Sequence, residues 1–232
     1  MKFTVKEIEK VSMTEEKRRN AKNDIVAFYI GRPISYFFTI PCLYMGIKPN
    51  TISLISIFFP VIAFACVCVE SSFENALVGW LCLFVWNIMD GIDGNIARYT
   101  KKSSNLGSVW DATGGYFAMF FTFSYLGMVA YWQSNSVMYI IQGFLSGMSC
   151  IMPRLIMHKK LSTFGNSKDE LNDKASFNFG KICILNLSSV SGLAQLIVLF
   201  AVVFRYSEQV TVFYFCLNVI IMIVAMYKIF KE

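Results

Sequence analysis

Histidine is almost missing from this chain: His158 is the only one in 232 residues. A centre built on several imidazoles is therefore excluded. His158, beside Lys159 and Lys160, reads as an interfacial residue at a helix end, with a catalytic role as the alternative. The seven cysteines, at 42, 66, 68, 82, 150, 183 and 216, offer no CxxC spacing. Most lie in apolar runs, which suits small hydrophobes better than a metal or disulfide framework. Residues 1–24 hold seven basic and five acidic groups, too many charges for the apolar centre of a secretory signal. They read as helical, with Glu15, Glu16, Lys17, Arg18 and Arg19 on a solvated face. No internal repeat and no low-complexity run is visible.

What is abundant is apolar surface: 56% of the residues are hydrophobic and 22 are Phe. That composition points to an all-α integral membrane protein. Runs near the ~20 residues needed to cross a bilayer occur at 51–69, 75–97, 107–132, 136–157, 183–204 and 210–230. Six transmembrane helices are expected, forming one membrane domain at 49–232 behind an N-terminal and juxtamembrane segment at 1–48. Residues 33–47, short and interrupted by Pro41, read as an amphipathic juxtamembrane helix in the interface, with a short seventh span as the competing reading. Residues 159–181 form the longest polar connection. With an inward N-terminus, all but one (Arg205) of the 21 Lys and Arg fall on the inner side. Both termini are therefore expected in the cytoplasm of a multi-pass cell-membrane protein. The net charge of +6 suits anionic headgroups and nucleotide phosphates. Nucleic acid is not implied, because the basic residues follow topology instead of clustering on one stripe.

Three carboxylates sit where they are hardest to keep. Asp90, Asp93 and Asp111 lie within or at the mouths of two apolar runs, with no cation in the apolar part of either run. An ionised Asp near mid-membrane costs about 2.5–3.5 kcal/mol, so such residues face a cavity and a partner. Asp90 and Asp93 share one helix face, continued by Gly94 and Ala97. A hairpin across the basic loop at 98–106 brings Asp111 to the same end. Hard oxygen donors suit Mg²⁺ or Mn²⁺, which stabilise charge on a transferring phosphoryl group. Interhelical hydrogen bonds and a proton or ion pathway remain the alternatives at this point.

The spacing resembles the CDP-alcohol phosphotransferase (CDP-alcohol phosphatidyltransferase) family. Its pattern is an early Asp, then Asp-Gly, two residues, Ala-Arg, eight residues, Gly, three residues, Asp, three residues, Asp. This chain supplies Asp90, Asp93-Gly94, Ala97-Arg98, Gly107 and Asp111 in that register. Arg32-Pro33 and Lys48-Pro49-Asn50-Thr51 also look like the family's juxtamembrane segment and the start of its first span. The resemblance implies that Asp90, Asp93 and Asp111 hold the metal, with Asp93 and Asp111 as catalytic residues. Gly94, Ala97, Gly107 and Ser108 would line the cytidine and ribose pocket, Arg98 would contact phosphate, and Arg154 would meet a phosphorylated acceptor. A CDP-linked donor, a lipid, polar-alcohol or phosphate acceptor, CMP release and a homodimer are likewise expectations from the resemblance.

The match breaks at one place. The family's last aspartate, taken as the general base and a ligand of the second metal, falls at 115, where this chain has Gly115 between Gly114 and Tyr116. Three readings follow: another group takes the proton, the acceptor is an already ionised phosphate, or the protein binds a cytidine nucleotide without efficient turnover. A small transporter is the reading from a different class. The absence of paired interrupted, pseudo-symmetric helices speaks against it.

Overall fold

The computed structural model describes residues 3–164 and 179–231; the polar connection expected at 159–181 lies partly outside them. Among the described residues helices joined by short connections make up the fold, with no strand. Two short helices open it. α1, Val5–Ser12, begins at a capping box in which Thr4 and Glu7 satisfy each other's backbone N–H groups. α2, Glu15–Ala21, begins at Thr14. A π-helical turn, Ala27–Gly31, then runs directly into α3, Arg32–Tyr44.

The membrane bundle follows. α4, Pro49–Ser56, and α5, Phe58–Val69, form one run interrupted at Ile57. Pro60, four residues after Ser56, has no N–H to offer the Ser56 carbonyl, which accounts for the interruption. α6 spans Phe73–Thr100, α7 Asn105–Ser134 and α8 Met138–Phe164. α9, Phe179–Ser188, α10, Leu193–Phe204, and α11, Ser207–Lys231, complete the described chain.

Four stretches are each long and apolar enough to cross a membrane: the α4–α5 run, α6, α8 and α11. A fifth is counted if Ile182–Ser188 and α10, bent by 51° at the Ser-rich break between them, act as one span. The chain is thus a multi-pass helical membrane protein. α7, expected as a span at 107–132, has the length but falls below the others in apolar character, being rich in Gly, Ser, Thr and Tyr. Its position explains why this is tolerated: it packs against α5, α8 and α11.

Small residues set the closest approaches. A Cβ at Gly143 would meet the Phe123 carbonyl oxygen at 2.7 Å and Gly127 Cα at 2.9 Å, so α7 and α8 touch backbone to backbone. The cysteines do not form a core set. All seven are free thiols, and Cys68, Cys183 and Cys216 lie on the outer surface.

The N-terminal segment is docked, not solvated all round. Ile8 is fully buried and clusters with Met13 and Tyr36, against Val5, Phe28 and Tyr99. Farther along, Ser189 donates to the Asp24 carboxylate, and Asn186 Oδ1 accepts from the Ile25 N–H at 2.9 Å. The segment before the bundle is therefore tied to the region after α8.

Replacing Gly143 with Leu should destabilise the protein by about 1–3 kcal/mol, because a tight contact would be overfilled. The thermal unfolding midpoint in detergent measures this. An unchanged midpoint would mean that α7 and α8 do not close here.

Candidate active site

The site is assembled where α6 ends and α7 begins. The last three turns of α6 carry Asp90, Asp93, Gly94, Ala97 and Arg98 on one flank. Lys101 ends the helix in the left-handed region, with φ of 55°, and a non-glycine residue there is uncommon. The turn it makes is short, because Ser104 already caps α7 by accepting from the Gly107 N–H at 2.9 Å. Asn50, in the first turn of α4, donates to the Ser104 hydroxyl at 3.2 Å and pins the hairpin to the bundle. A side chain at Gly107 would strike Asn50 Oδ1 at 2.7 Å, so the glycine is what lets this clamp form.

The hairpin opens one cavity of about 390 Å³. Asp90, Asp93 and Asp111 line it, as do Gly94, Ala97, Arg98, Gly107 and Ser108. Asp93 is only 5% exposed and accepts a hydrogen bond from the Ser53 hydroxyl of α4. Asp90 and Asp111 face each other within hydrogen-bonding reach across the hairpin. Opposed carboxylates repel unless a proton or a cation lies between them. Their oxygen donors match a hard divalent ion. They do not, however, form a closed set: among the described residues, no three His, Cys, Asp or Glu side chains are gathered tightly enough to hold a metal ion.

Arg154 does not line this cavity. It is exposed on α8, on the side of Tyr116. His158 is not a bare interfacial group: its Nδ1 is 2.6 Å from the Tyr116 hydroxyl, one residue past Gly115. Neither Tyr116 nor His158 lines the cavity. At Gly115 itself a Cβ would meet nothing within 4 Å, so the position is open space.

Several cavity residues escaped the sequence reading. Ser53 and Asn50 come from the first run of the bundle. Ser191 arrives from the break before α10, where its carbonyl accepts from Asn87 Nδ2 at 2.8 Å. Lys17 and Lys102 also reach the wall, and so does Arg32, which had been read only as part of a juxtamembrane pattern. Only Asn50 and Arg32 carried a sequence signal, through the motifs around them.

The basic side is held by polar contacts between α6 and α3. Arg98 Nη2 donates to Asn95 Oδ1 at 3.2 Å, and Asn95 Nδ2 donates to Ser35 Oγ at 3.1 Å and to Thr39 Oγ1 at 3.2 Å. The guanidinium folds back over Gly94, where a Cβ would meet Nη2 at 2.8 Å. Burial, then the nearby guanidiniums of Arg98 and Arg32, pull the Lys17 ammonium down to about 8. Among the described residues the one salt bridge is Arg18 Nη2 to Glu9 Oε1, at 2.6 Å, and none of the cavity cations forms another.

Comparison with curated proteins finds no match. The family model of CDP-alcohol phosphatidyltransferase matches residues 47–160, which hold α4 through most of α8 and all three cavity aspartates. That family is made of transferases, and its chemistry is phosphoryl transfer from a CDP-alcohol in lipid synthesis. Residues 47–160 thus match the CDP-alcohol phosphatidyltransferase family as a domain within the chain.

Proposed function

We propose that the protein transfers a substituted phosphoryl group from CDP-diacylglycerol or another CDP-linked alcohol to an alcohol or phosphate acceptor and releases CMP. The observation that carries this reading is that one cavity gathers Asp90, Asp93 and Asp111 with the small residues Gly94, Ala97, Gly107 and Ser108. Acid and space stand side by side, as a nucleotide diphosphate and its counter-ion require.

Asp90, Asp93 and Asp111 would hold Mg²⁺ or Mn²⁺, which supplies charge neutralisation at the diphosphate when bound. Ser53 fixes the Asp93 carboxylate through its hydroxyl, leaving the remaining lone pairs for a ligand. Gly94, Ala97, Gly107 and Ser108 give the cytidine and ribose room. Arg98, steadied by Asn95, is aimed along the same wall and meets phosphate oxygens. The acceptor oxygen attacks the phosphorus that bears the donor alcohol, and CMP departs. Positioning and electrostatic stabilisation then carry the rate.

The domain reading of 1–48 and 49–232, six spans, cytoplasmic termini, a cell-membrane location and a homodimer belong to the same proposal. Arg154 stays the candidate ligand of a phosphorylated acceptor, on the Tyr116 side of α7 instead of in the cavity. Gly115 favours one competing reading, a nucleotide-binding protein without efficient turnover. General-base help is worth roughly 10²–10⁴-fold when a hydroxyl attacks, and here no carboxylate stands at that position.

Purified protein should gain thermal stability from CDP with Mn²⁺ and lose that gain with chelator. Asp93→Asn should abolish the gain, and an unchanged titration would remove Asp93 from the ligand set. CMP release should be detectable when CDP-linked donors are crossed with hydroxyl and phosphate acceptors, and chelator should stop it. Nucleotide binding without release under any pairing would establish the competing reading. The open space at 115 admits Gly115→Asp without a clash. Turnover should rise in this variant if the acceptor is a hydroxyl and fall if it is an anionic phosphate. No change would mean that position 115 is remote from the reaction.

A further inference from the structure

We infer that Lys17, Arg32 and Arg98 form a phosphate-binding wall in the cavity, with two of its three cations supplied by the N-terminal segment. Lys17 and Arg32 lie before residue 47, outside the stretch that matches the family. Yet both line the cavity together with Arg98.

Four observations point to an anion. First, none of the three cations forms an ion pair among the described residues. The acid that lies near the Tyr36 hydroxyl, Glu9, is engaged by Arg18. Second, the Nε atoms of both Arg32 and Arg98 are buried without a hydrogen-bond partner. A buried, unmade hydrogen bond to a charged group is costly, and an oxyanion is the partner that relieves it. Third, the cations are close enough to disfavour one another's charge: Lys17 is held down by Arg98 and Arg32 as well as by burial. Like charges gathered this closely, with no ion pair formed by any of them, are the arrangement that an anion stabilises. Fourth, the segment is built to stay in place. Ile8 and Met13 bury against Tyr36, Asp24 and Ile25 bond across to Ser189 and Asn186, and a π-helical turn leads directly into Arg32. Such turns recur at functional sites.

The ligand class is a phosphate monoester or diphosphate group. It comes either from the donor's diphosphate or from a phosphorylated small-alcohol acceptor. Assigning it to a substrate rests on the function proposed above; anion binding itself does not.

The test uses the full chain in detergent, with inorganic phosphate, sn-glycerol 3-phosphate, glycerol and CDP with Mn²⁺ as probes in thermal-shift titrations. Phosphate should stabilise the unmodified protein. Lys17→Gln and Arg32→Gln should each raise its half-saturation concentration about tenfold, the loss expected for one charge-assisted contact. Lys17→Arg should restore it, and Arg19→Gln, an exposed side chain that is not on the wall, should leave it unchanged. Unliganded midpoints of the variants separate misfolding from lost binding. If Lys17→Gln weakens glycerol 3-phosphate but not CDP, the wall serves an acceptor phosphate; the reverse assigns it to the donor's diphosphate. Glycerol should be silent in either case. Equal phosphate responses in the unmodified protein and both Gln variants would overturn the inference, as would no response at all. A phosphate response that survives Asp93→Asn, in a protein that ignores CDP with Mn²⁺, would keep the wall and remove the proposed function.

Discussion

Carboxylates from two helices are held against one cavity, and every other feature of the site serves that placement. Asp90 and Asp111 face each other across the hairpin, with Asp93 one turn away. Left alone, such groups push α6 and α7 apart. The hairpin withstands this because it is clamped at its tip by Ser104 and Asn50 and braced at Asp93 by Ser53. Farther down, Gly79 lets α6 approach the Ala63 carbonyl of α5 and the Tyr125 ring of α7. Depth helps as well. From Phe73 to Asp90, α6 rises about 26 Å at ~1.5 Å per residue, nearly the full ~30 Å of hydrocarbon. A span that enters the slab near Phe73 would carry the acids to its far boundary, where charge is least costly.

Much of the bundle could be read from the chain because hydropathy is a strong, local signal. The expected spans at 51–69, 75–97 and 210–230 lie inside the α4–α5 run, α6 and α11, and that at 136–157 overlaps α8 from Met138 onward. The approach of Asp90, Asp93 and Asp111 followed from helical periodicity and one short loop. Context defeated the rest. α7 has a modest apolar signal because neighbouring helices, not lipid, cover much of it. Hydropathy alone also cannot show that the break at Ser189–Gly192 bends the chain by 51°.

The N-terminal segment illustrates the same limit from the other side. Twelve charges in 24 residues read as a solvated helix, and the two helices do expose most of them. The few apolar positions, Ile8 and Met13 above all, settle where the segment goes. Lys17 could not be placed from its neighbours in sequence, since its setting is made by Arg32 and Arg98 from other helices. A tertiary charge cluster of this kind has no linear pattern.

The tie between Asp24 and Ser189, with the Asn186 contact to the Ile25 amide beside it, spans most of the chain. Ser191, just beyond it, also supplies part of the cavity wall. On the ribosome, residues near position 190 emerge only after α4 to α8 have been made. The acid-bearing hairpin thus exists before its last wall does, and the pocket gains its full lining late in synthesis, when the beginning of the protein is fastened to a part made long after it.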